Sequence, residues 1–164
     1  MLIRKFSEDL PDLNIIEKGD WIDLYSNRAC KCSNIKARIE IALGDKVDGF
    51  EDGSISYKKG QVVIVGLGMA MELDSGCEAE IRPRSGTFKK YGLLLTNSIG
   101  TIDEAYCGNE DEWQVVFYAT RDGRIGKFDR LVQFKQAKKM EKPNIEYVSE
   151  LKNKNRDGFG STGK

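Results

Sequence analysis

The sequence predicts an all-β protein, built as an antiparallel sandwich or barrel. Short runs rich in β-branched and aromatic residues recur along the chain, and Gly and Asp turn residues separate them. No long window keeps the apolar spacing of an amphipathic helix, and 17 glycines are spread over the 164 residues. Many short strands with few helices are typical of antiparallel sandwiches and barrels.

The predicted elements follow one another between these turns. The strands are Leu2 to Phe6, Asp20 to Tyr25, Lys36 to Leu43, Ser54 to Tyr57, Val62 to Met71, Cys77 to Pro83, Leu93 to Asn97, Gly100 to Ile102, Glu112 to Ala119 and Arg130 to Lys138. One short helix is predicted from Ser85 to Tyr91, and its start could offer backbone N–H groups to an anion.

Two polar segments stand apart from the predicted strands. Residues 30–53 are interpreted as a loop or hairpin insertion, because their second half is charged and rich in glycine. Residues 149–164 form a tail that is too polar to pack by itself. We therefore expect one domain over residues 1–148, carrying the insertion, and a flexible C-terminal segment over residues 149–164.

Charge and composition narrow the functional classes. The 26 Lys and Arg residues are balanced by 26 Asp and Glu residues without a basic stripe, which argues against nonspecific nucleic-acid binding. No apolar run approaches the roughly 18 residues of a membrane span, and the first residues turn charged too early for a signal peptide. We expect a cytoplasmic protein that binds neither nucleic acid nor membranes and keeps its 4 cysteines as thiols.

The chain contains no histidine. This excludes Ser-His-Asp and Cys-His nucleophile systems and every histidine general base. A catalytic base would therefore be a carboxylate, Lys, Tyr or Cys. Carboxylates suit water activation and Mg²⁺ chemistry on phosphates.

The segment Arg82 to Thr87 has the side chains of a phosphate site. Its arginines offer rigid forks of donors, Ser85 adds a hydroxyl, and Gly86 lets the backbone approach an oxyanion closely. Taken alone, an ordinary surface turn explains the segment at least as well.

The segment Asn97 to Gly108 predicts a strand, a tight turn and a second strand, with Asp103 and Tyr106 close together. A hairpin with a glycine elbow can form a narrow slot. Backbone groups in such a slot would hydrogen-bond the edge of a flat base, while Tyr106 stacks on the attached ring. From this segment alone, an ordinary hairpin with Asp103 as a turn residue is the simpler alternative.

The end of the chain, Arg156 to Lys164, mixes a cation, an aromatic ring and hydroxyl groups among glycines. Disordered glycine tails are common. An aromatic ring flanked by glycines is better explained by a lid, in which Phe159 stacks on a ligand while neighbouring donors bind anionic oxygens.

In this order and spacing, the segments resemble the five motifs of the trimeric deoxyuridine triphosphate nucleotidohydrolases, the dUTPases. Arg84-Ser85-Gly86 resembles the second motif, Asn97 to Gly108 the third, and Arg156 to Gly163 the fifth. Gly19 to Leu24 and Lys127 to Gln133 resemble the first and fourth motifs more loosely. The variant first motif and Glu110-Asp111-Glu112-Trp113 look most like dUTPases of some Gram-positive bacteria and their phages.

The resemblance implies a jelly-roll-like subunit in a homotrimer, with active sites at subunit interfaces and the mobile tail as a lid. The implied reaction is hydrolysis of dUTP to dUMP and pyrophosphate with Mg²⁺ as cofactor, which keeps uracil out of DNA and supplies dUMP for dTTP synthesis. Asp103 matches the family's general base, which activates water for attack on the α-phosphorus. Asp23 would contact the metal through water.

The same resemblance assigns the other site residues. The phosphate-binding group comprises Arg84, Ser85, Gly86, Gln133, Arg156, Gly160, Ser161 and Thr162. The nucleoside-binding group comprises Asn97, Gly100, Ile102, Tyr106 and Phe159. Tyr106 would lie under the deoxyribose and leave no room for a 2′-hydroxyl, and Phe159 would cap the base. For Arg130, a phosphate contact and an ion pair with a first-motif carboxylate both stay open.

Departures from the family pattern leave two other functions open. Asp157 stands where the tail usually has glycine, Phe128 stands where the fourth motif has glycine, and the 30–53 insertion has no family counterpart. The insertion and Asp157 motivate a regulatory protein on the same fold, with a partner protein bound through residues 30–53. The related dCTP deaminases share the fold, but they use a glutamate to work on the base, whereas this chain has Asp103 and Tyr106 in dUTPase positions.

Overall fold

The computed structural model describes residues 1–32 and 53–153, with Lys31 and Cys32 described by their backbone alone. The strands in this part of the chain are β1 (Leu2–Lys5), β2 (Ile22–Tyr25), β3 (Arg28–Cys32), β4 (Ser54–Tyr57), β5 (Val62–Gly66), β6 (Met69–Glu72), β7 (Cys77–Pro83), β8 (Leu93–Leu95), β9 (Gly100–Ile102), β10 (Gln114–Ala119), β11 (Gly123–Gly126) and β12 (Arg130–Lys138). A helix of about one turn, α1, spans Thr87–Tyr91. The prediction of an all-β fold is confirmed.

The strands pair into antiparallel sheets whose neighbours are distant in sequence. In the described part of the chain, two sheets have 4 strands each, in the orders β3-β5-β10-β8 and β2-β12-β7-β9. Two smaller sheets pair β1 with β6 and β11 with β4. Such long-range crossings between packed sheets are typical of jelly-roll-like folds.

The hydrophobic core comes from the strand faces that point inward. On β7, Ala79 and Ile81 are fully buried, while Glu80 and Arg82 alternate with them on the other face. The largest buried side chains include Trp113 and Phe134, whose rings meet edge to face with centroids 5.3 Å apart. One face of this sheet therefore seals the core, and the other is free to carry polar groups.

That polar face brings the first and fourth motifs together beside the strand that leads into the second motif. Gln133 on β12 is paired with Asp23 on β2 and with Arg82 on β7, so the three residues form one row across the sheet. The register shifts between Arg130 and Val132, as in a β-bulge. Leu131 and Val132 are consecutive and both fully buried, which regular alternation along a strand would not allow.

Several predicted elements differ from the observed ones. The single strand predicted over Val62 to Met71 is wrong, because Leu67 and Gly68 break it and Gly68 has a left-handed φ of 72°. Strands β3 and β11 were not predicted, and β3 runs into the first residues of the 30–53 segment. The predicted helix is confirmed in a shorter form, Thr87–Tyr91. The predicted strand Lys36 to Leu43 lies outside the described residues.

Within residues 1–32 and 53–153, no helix has the length and apolar character needed to span a membrane.

Candidate active site

The third-motif segment lines a cleft of about 450 Å³. Strand β9 supplies Ile102, and the turn after it places Asp103 and Tyr106 at the same opening. Gln114, the first residue of β10, and Glu112, two residues before it, also line this cleft. The structure therefore brings together the predicted acid, the predicted aromatic residue and one of the predicted slot residues.

Asp103 presents an accessible carboxylate at the mouth of the cleft. Its side chain is 67% exposed, and its Oδ1 atom accepts a hydrogen bond from the backbone N–H of Ala105 at 3.0 Å. Its backbone carbonyl accepts from the N–H of Tyr106 at 3.0 Å. These two bonds fix the turn. Oδ2 makes no hydrogen bond within residues 1–32 and 53–153 and can face a water molecule.

A cation and a second acid hold the turn that carries Asp103. Glu104 accepts from the backbone N–H of Gly76 at 2.9 Å and from Lys139 Nζ at 3.3 Å. The Gly76 bond and then the Lys139 bond hold the pKa of Glu104 below its usual value. Lys139 Nζ also lies 3.8 Å from Asp103 Oδ1, and these acids raise the pKa of Lys139. No motif in the sequence pointed to this lysine.

Tyr106 is held by its hydroxyl, which donates to the backbone carbonyl of Glu112 at 3.2 Å. Burial, followed by the charges of Asp111 and Glu112, raises the pKa of the Tyr106 phenol. The group therefore stays neutral and keeps its proton for this bond.

The other predicted slot residues lie beside the cleft rather than in its lining. Gly100 is buried, and an added Cβ would lie 3.2 Å from Cβ of Ile81 on the paired strand β7. Asn97 is exposed in the preceding turn, where Ser98 has a left-handed φ of 58°. The close approach of Gly100 to β7 explains why this position takes glycine.

The second-motif arginine and Arg130 converge on one carboxylate. Arg84 Nε lies 2.7 Å from Asp23 Oδ1, and Arg130 Nη1 lies 3.1 Å from Asp23 Oδ2. The Asp23 side chain is only 22% exposed. Of the two alternatives for Arg130, the ion pair with a first-motif carboxylate is the one observed. Two guanidinium groups on one carboxylate form a charged cluster beside Gln133.

Ser85 and Gly86 are exposed where β7 turns into α1. The turn is anchored from below, because the backbone N–H of Arg84 and the Thr87 hydroxyl both donate to the Leu131 carbonyl, at 3.1 Å and 2.6 Å. Within residues 1–32 and 53–153, and apart from its chain neighbours, nothing lies within 4 Å of a Cβ added at Gly86. The turn therefore leaves open space above Ser85 and Gly86.

The fourth motif keeps its turn despite Phe128. Phe128 has a left-handed φ of 66°, the conformation for which glycine is favoured. Its N–H donates to the Ser26 carbonyl at 2.6 Å, and Asp129 Oδ2 accepts from the N–H of Gly126 at 2.9 Å. The substitution for glycine therefore leaves the turn in place.

Five predicted site residues lie outside the described residues. They are Arg156, Phe159, Gly160, Ser161 and Thr162. Within residues 1–32 and 53–153, no three or more ligating side chains gather into a group that could hold a metal ion.

These features define the class of protein. The dUTPase family model matches residues 52–163, a span that includes the second, third, fourth and fifth motifs. The chain belongs to the dUTPase family, which confirms the resemblance found in the sequence.

Individual relatives agree with this assignment. The SPbeta prophage-derived deoxyuridine 5′-triphosphate nucleotidohydrolase YosS of Bacillus subtilis is 39% identical over 161 residues, which cover 98% of this chain and 96% of that protein.

Two solved structures share the fold. A mutant dUTPase from phage phi11 of S. aureus, described with a structural Mg(II) ion, has a TM-score of 0.64 at 13% identity and covers 91% of this chain and 96% of its own. A Staphylococcus bacteriophage 80alpha dUTPase has a TM-score of 0.64 at 13% identity and covers 93% of this chain and 97% of its own. Phage dUTPases are described there as controlling transfer of virulence genes.

Proposed function

We propose that this protein hydrolyses dUTP to dUMP and pyrophosphate, with Asp103 as the general base. The observation that carries the proposal is the convergence of Asp103, Ile102 and Tyr106 on one cleft in a chain of the dUTPase family. The reaction keeps uracil out of DNA and supplies dUMP for dTTP synthesis. Because deoxynucleotides are made in the cytoplasm, that is where the protein acts.

The nucleoside end of the substrate lies in the cleft. Ile102 and the backbone around Gly100 line the uracil edge, Asn97 lies at the neighbouring turn, and Tyr106 packs under the deoxyribose. A base whose edge mismatches fixed backbone groups leaves buried donors or acceptors unpaired, at a cost of about 1 to 3 kcal/mol for each. Cytosine is thereby disfavoured. Phe159 of the tail closes over the base.

The triphosphate lies against the cationic edge formed by the first, second and fourth motifs. Arg84, Ser85 and Gly86 project from an anchored turn with open space above it, and Gln133 lies beside them on β12. Arg84 and Arg130 both pair with Asp23, and Arg84, held through its Nε, turns its remaining N–H groups toward phosphate oxygens. Arg156, Gly160, Ser161 and Thr162 close on the phosphates from the tail.

The residues fit a Mg²⁺ ion that is held mainly by the substrate. Both Asp23 oxygens are paired with arginines, so this carboxylate would contact a cation through water rather than ligate it directly. The ion supplies neutralisation of the phosphate charge. Asp103 takes the proton from the attacking water at its open carboxylate oxygen, and Ser85 donates to the oxygen that leaves from the α-phosphorus.

The assembly is a homotrimer that completes each site with residues from several chains. After β12, the segment 139–153 carries apolar side chains that are exposed to solvent, with Tyr147 95% exposed and Leu151 85% exposed. Exposed apolar groups of this density favour contact with a partner chain. In the trimer, this segment leads the tail onto a neighbouring subunit. Light scattering that gave a monomer mass would contradict this.

The experiment is pyrophosphate release with Mg²⁺ from dUTP, dCTP, dTTP and UTP in parallel. We expect release from dUTP alone. Asp122→Asn is the matched control, because Asp122 pairs with Lys58 on a distant turn and its loss leaves the cleft intact. Ammonia released from dCTP would indicate the deaminase instead, and no pyrophosphate release from any of the four by the folded protein would refute the hydrolase.

A regulatory role through residues 30–53 is the second candidate. It is favoured by the shared fold with the phage 80alpha dUTPase, whose class is described as controlling gene transfer. Replacing residues 33–52 with a short Gly-Ser linker would leave dUTP hydrolysis intact and abolish binding of the partner protein. Loss of both together would contradict a separate binding surface.

A further inference from the structure

An ion pair between a buried glutamate, Glu112, and a partly exposed arginine, Arg28, lies directly behind the cleft. Glu112 is 4% exposed although it is charged, and it also lines the cleft. Arg28, at the start of β3, donates from Nε to Glu112 Oε2 at 2.5 Å and contacts the same oxygen through Nη2. The backbone N–H of Gly68 donates to Oε1 at 2.9 Å. Both carboxylate oxygens are therefore satisfied by fixed donors.

Two glycines make room for this pair. A Cβ at Gly66 would lie 2.5 Å from Glu112 Oε1 and 2.7 Å from Cγ of Arg28, so no other residue fits there without displacing the pair. Gly68 has a φ of 72°, which turns its N–H toward the carboxylate. The break between β5 and β6 is thus shaped around Glu112.

The pair connects to the substrate side through Tyr106. The Tyr106 hydroxyl donates to the backbone carbonyl of Glu112, the same residue whose side chain is pinned by Arg28 and Gly68. The next residue, Trp113, is fixed by its N–H bond to the Met69 carbonyl at 2.9 Å. The carbonyl that orients the tyrosine ring therefore has little freedom to move.

An ion pair around a buried carboxylate is weak evidence for stability, since removing that charge from water costs about as much as the attraction of the pair returns. Its better supported use is to fix one geometry. We propose that Arg28 and Glu112 form a positioning pair that holds Tyr106 against the sugar and so sets the preference for 2′-deoxyribose over ribose. This inference rests on the proposed dUTP hydrolysis.

The test compares kcat/KM for dUTP and for UTP. Tyr106→Phe keeps the ring and removes the hydroxyl, and we expect it to lower the dUTP-to-UTP ratio about fivefold, the effect of one net hydrogen bond. Arg28→Met is expected to lower the ratio by a similar factor. Because both act through the same contact, the double variant should change the ratio no more than either single variant.

Controls separate positioning from general damage. Lys58→Met breaks an exposed ion pair with Asp122 and should leave the ratio unchanged. If Arg28→Met does not fold, Glu112→Gln replaces it as the test, because glutamine keeps the shape of the side chain. We expect it to lower the dUTP-to-UTP ratio by a smaller factor. An unchanged ratio in the folded pair variants, or multiplicative effects with Tyr106→Phe, would overturn the positioning role. A wild type that hydrolyses neither nucleotide would instead overturn the proposed function.

Discussion

Replacing Phe128 by Gly and by Ala separates the backbone cost of the fourth-motif turn from the packing of its ring. A left-handed conformation costs an L-residue about 1 to 2 kcal/mol, and Phe128 has a φ of 66°. The ring contributes in the opposite direction, because it packs on the core in a partly buried position and Lys127 Nζ lies 4.7 Å from its centroid. Half-burial of a ring is worth about 1 to 1.5 kcal/mol and the cation contact about 0.5 kcal/mol.

These terms nearly cancel in the glycine variant. Phe128→Gly loses the ring but relieves the backbone, so we expect its free energy of unfolding to fall by no more than about 1 kcal/mol. Phe128→Ala loses the ring and keeps the strained conformation, so it should fall by about 2 kcal/mol. The glycine variant is therefore predicted to be more stable than the alanine variant by about 1 kcal/mol.

Urea unfolding at one fixed protein concentration measures this difference. At this chain length, 1 kcal/mol corresponds to about 2 to 4 °C in Tm, which scanning calorimetry also resolves. An alanine variant as stable as the glycine variant would refute the strain argument. A loss above about 3 kcal/mol in the glycine variant would show that the ring is a core anchor.

Three further predictions concern other parts of the fold. Burial raises the pKa of Tyr57 from 10.0 to about 12. The contribution of this group to the free energy of unfolding is therefore present below pH 10.0, and about 3 kcal/mol of it is lost as the pH rises to 12. A Tyr57→Phe variant with the same alkaline loss in its free energy of unfolding would contradict this. Gly68→Ala should lower the free energy of unfolding more than Gly76→Ala. Both glycines have a positive φ, but only a Cβ at Gly68 would also lie 2.6 Å from Cβ of Asn27. Equal losses in denaturant unfolding would argue against the clash. Lys139→Gln should lower kcat for dUTP severalfold, and Lys139→Arg should keep most of the wild-type kcat, because the cation holds the Asp103 turn. An unchanged kcat in the glutamine variant would show that Lys139 does not contribute to the site.

The sequence predicted the strands whose patterns are local. On β7, apolar residues alternate with polar ones, and both β7 and β12 were predicted with their observed bounds. Strand β3 was missed because its mixture of Arg, Cys and Lys has no strand pattern, and its pairing with β5 is a long-range contact. The break at Gly68 was hidden inside a continuous apolar run, where only the backbone angle reveals it.

The candidate site was also predicted only in part. Asp103 and Tyr106 were predicted because their motif is contiguous in sequence, and the structure places both at one cleft. The contacts that hold them were beyond prediction, because Arg28 and Glu112 are 84 residues apart and Glu104 and Lys139 are 35 apart. Positions that support a motif from other strands leave no local pattern.

The most direct test of the central claim is hydrolysis of dUTP in ¹⁸O-labelled water by the wild type, Asp103→Asn and Asp122→Asn. If Asp103 activates water for attack on the α-phosphorus, the label enters dUMP. Asp103→Asn then loses about 100-fold or more in kcat, within the range for a general base, while Asp122→Asn keeps its rate. Label found in pyrophosphate, or an Asp103→Asn variant that keeps the wild-type rate, would contradict the account.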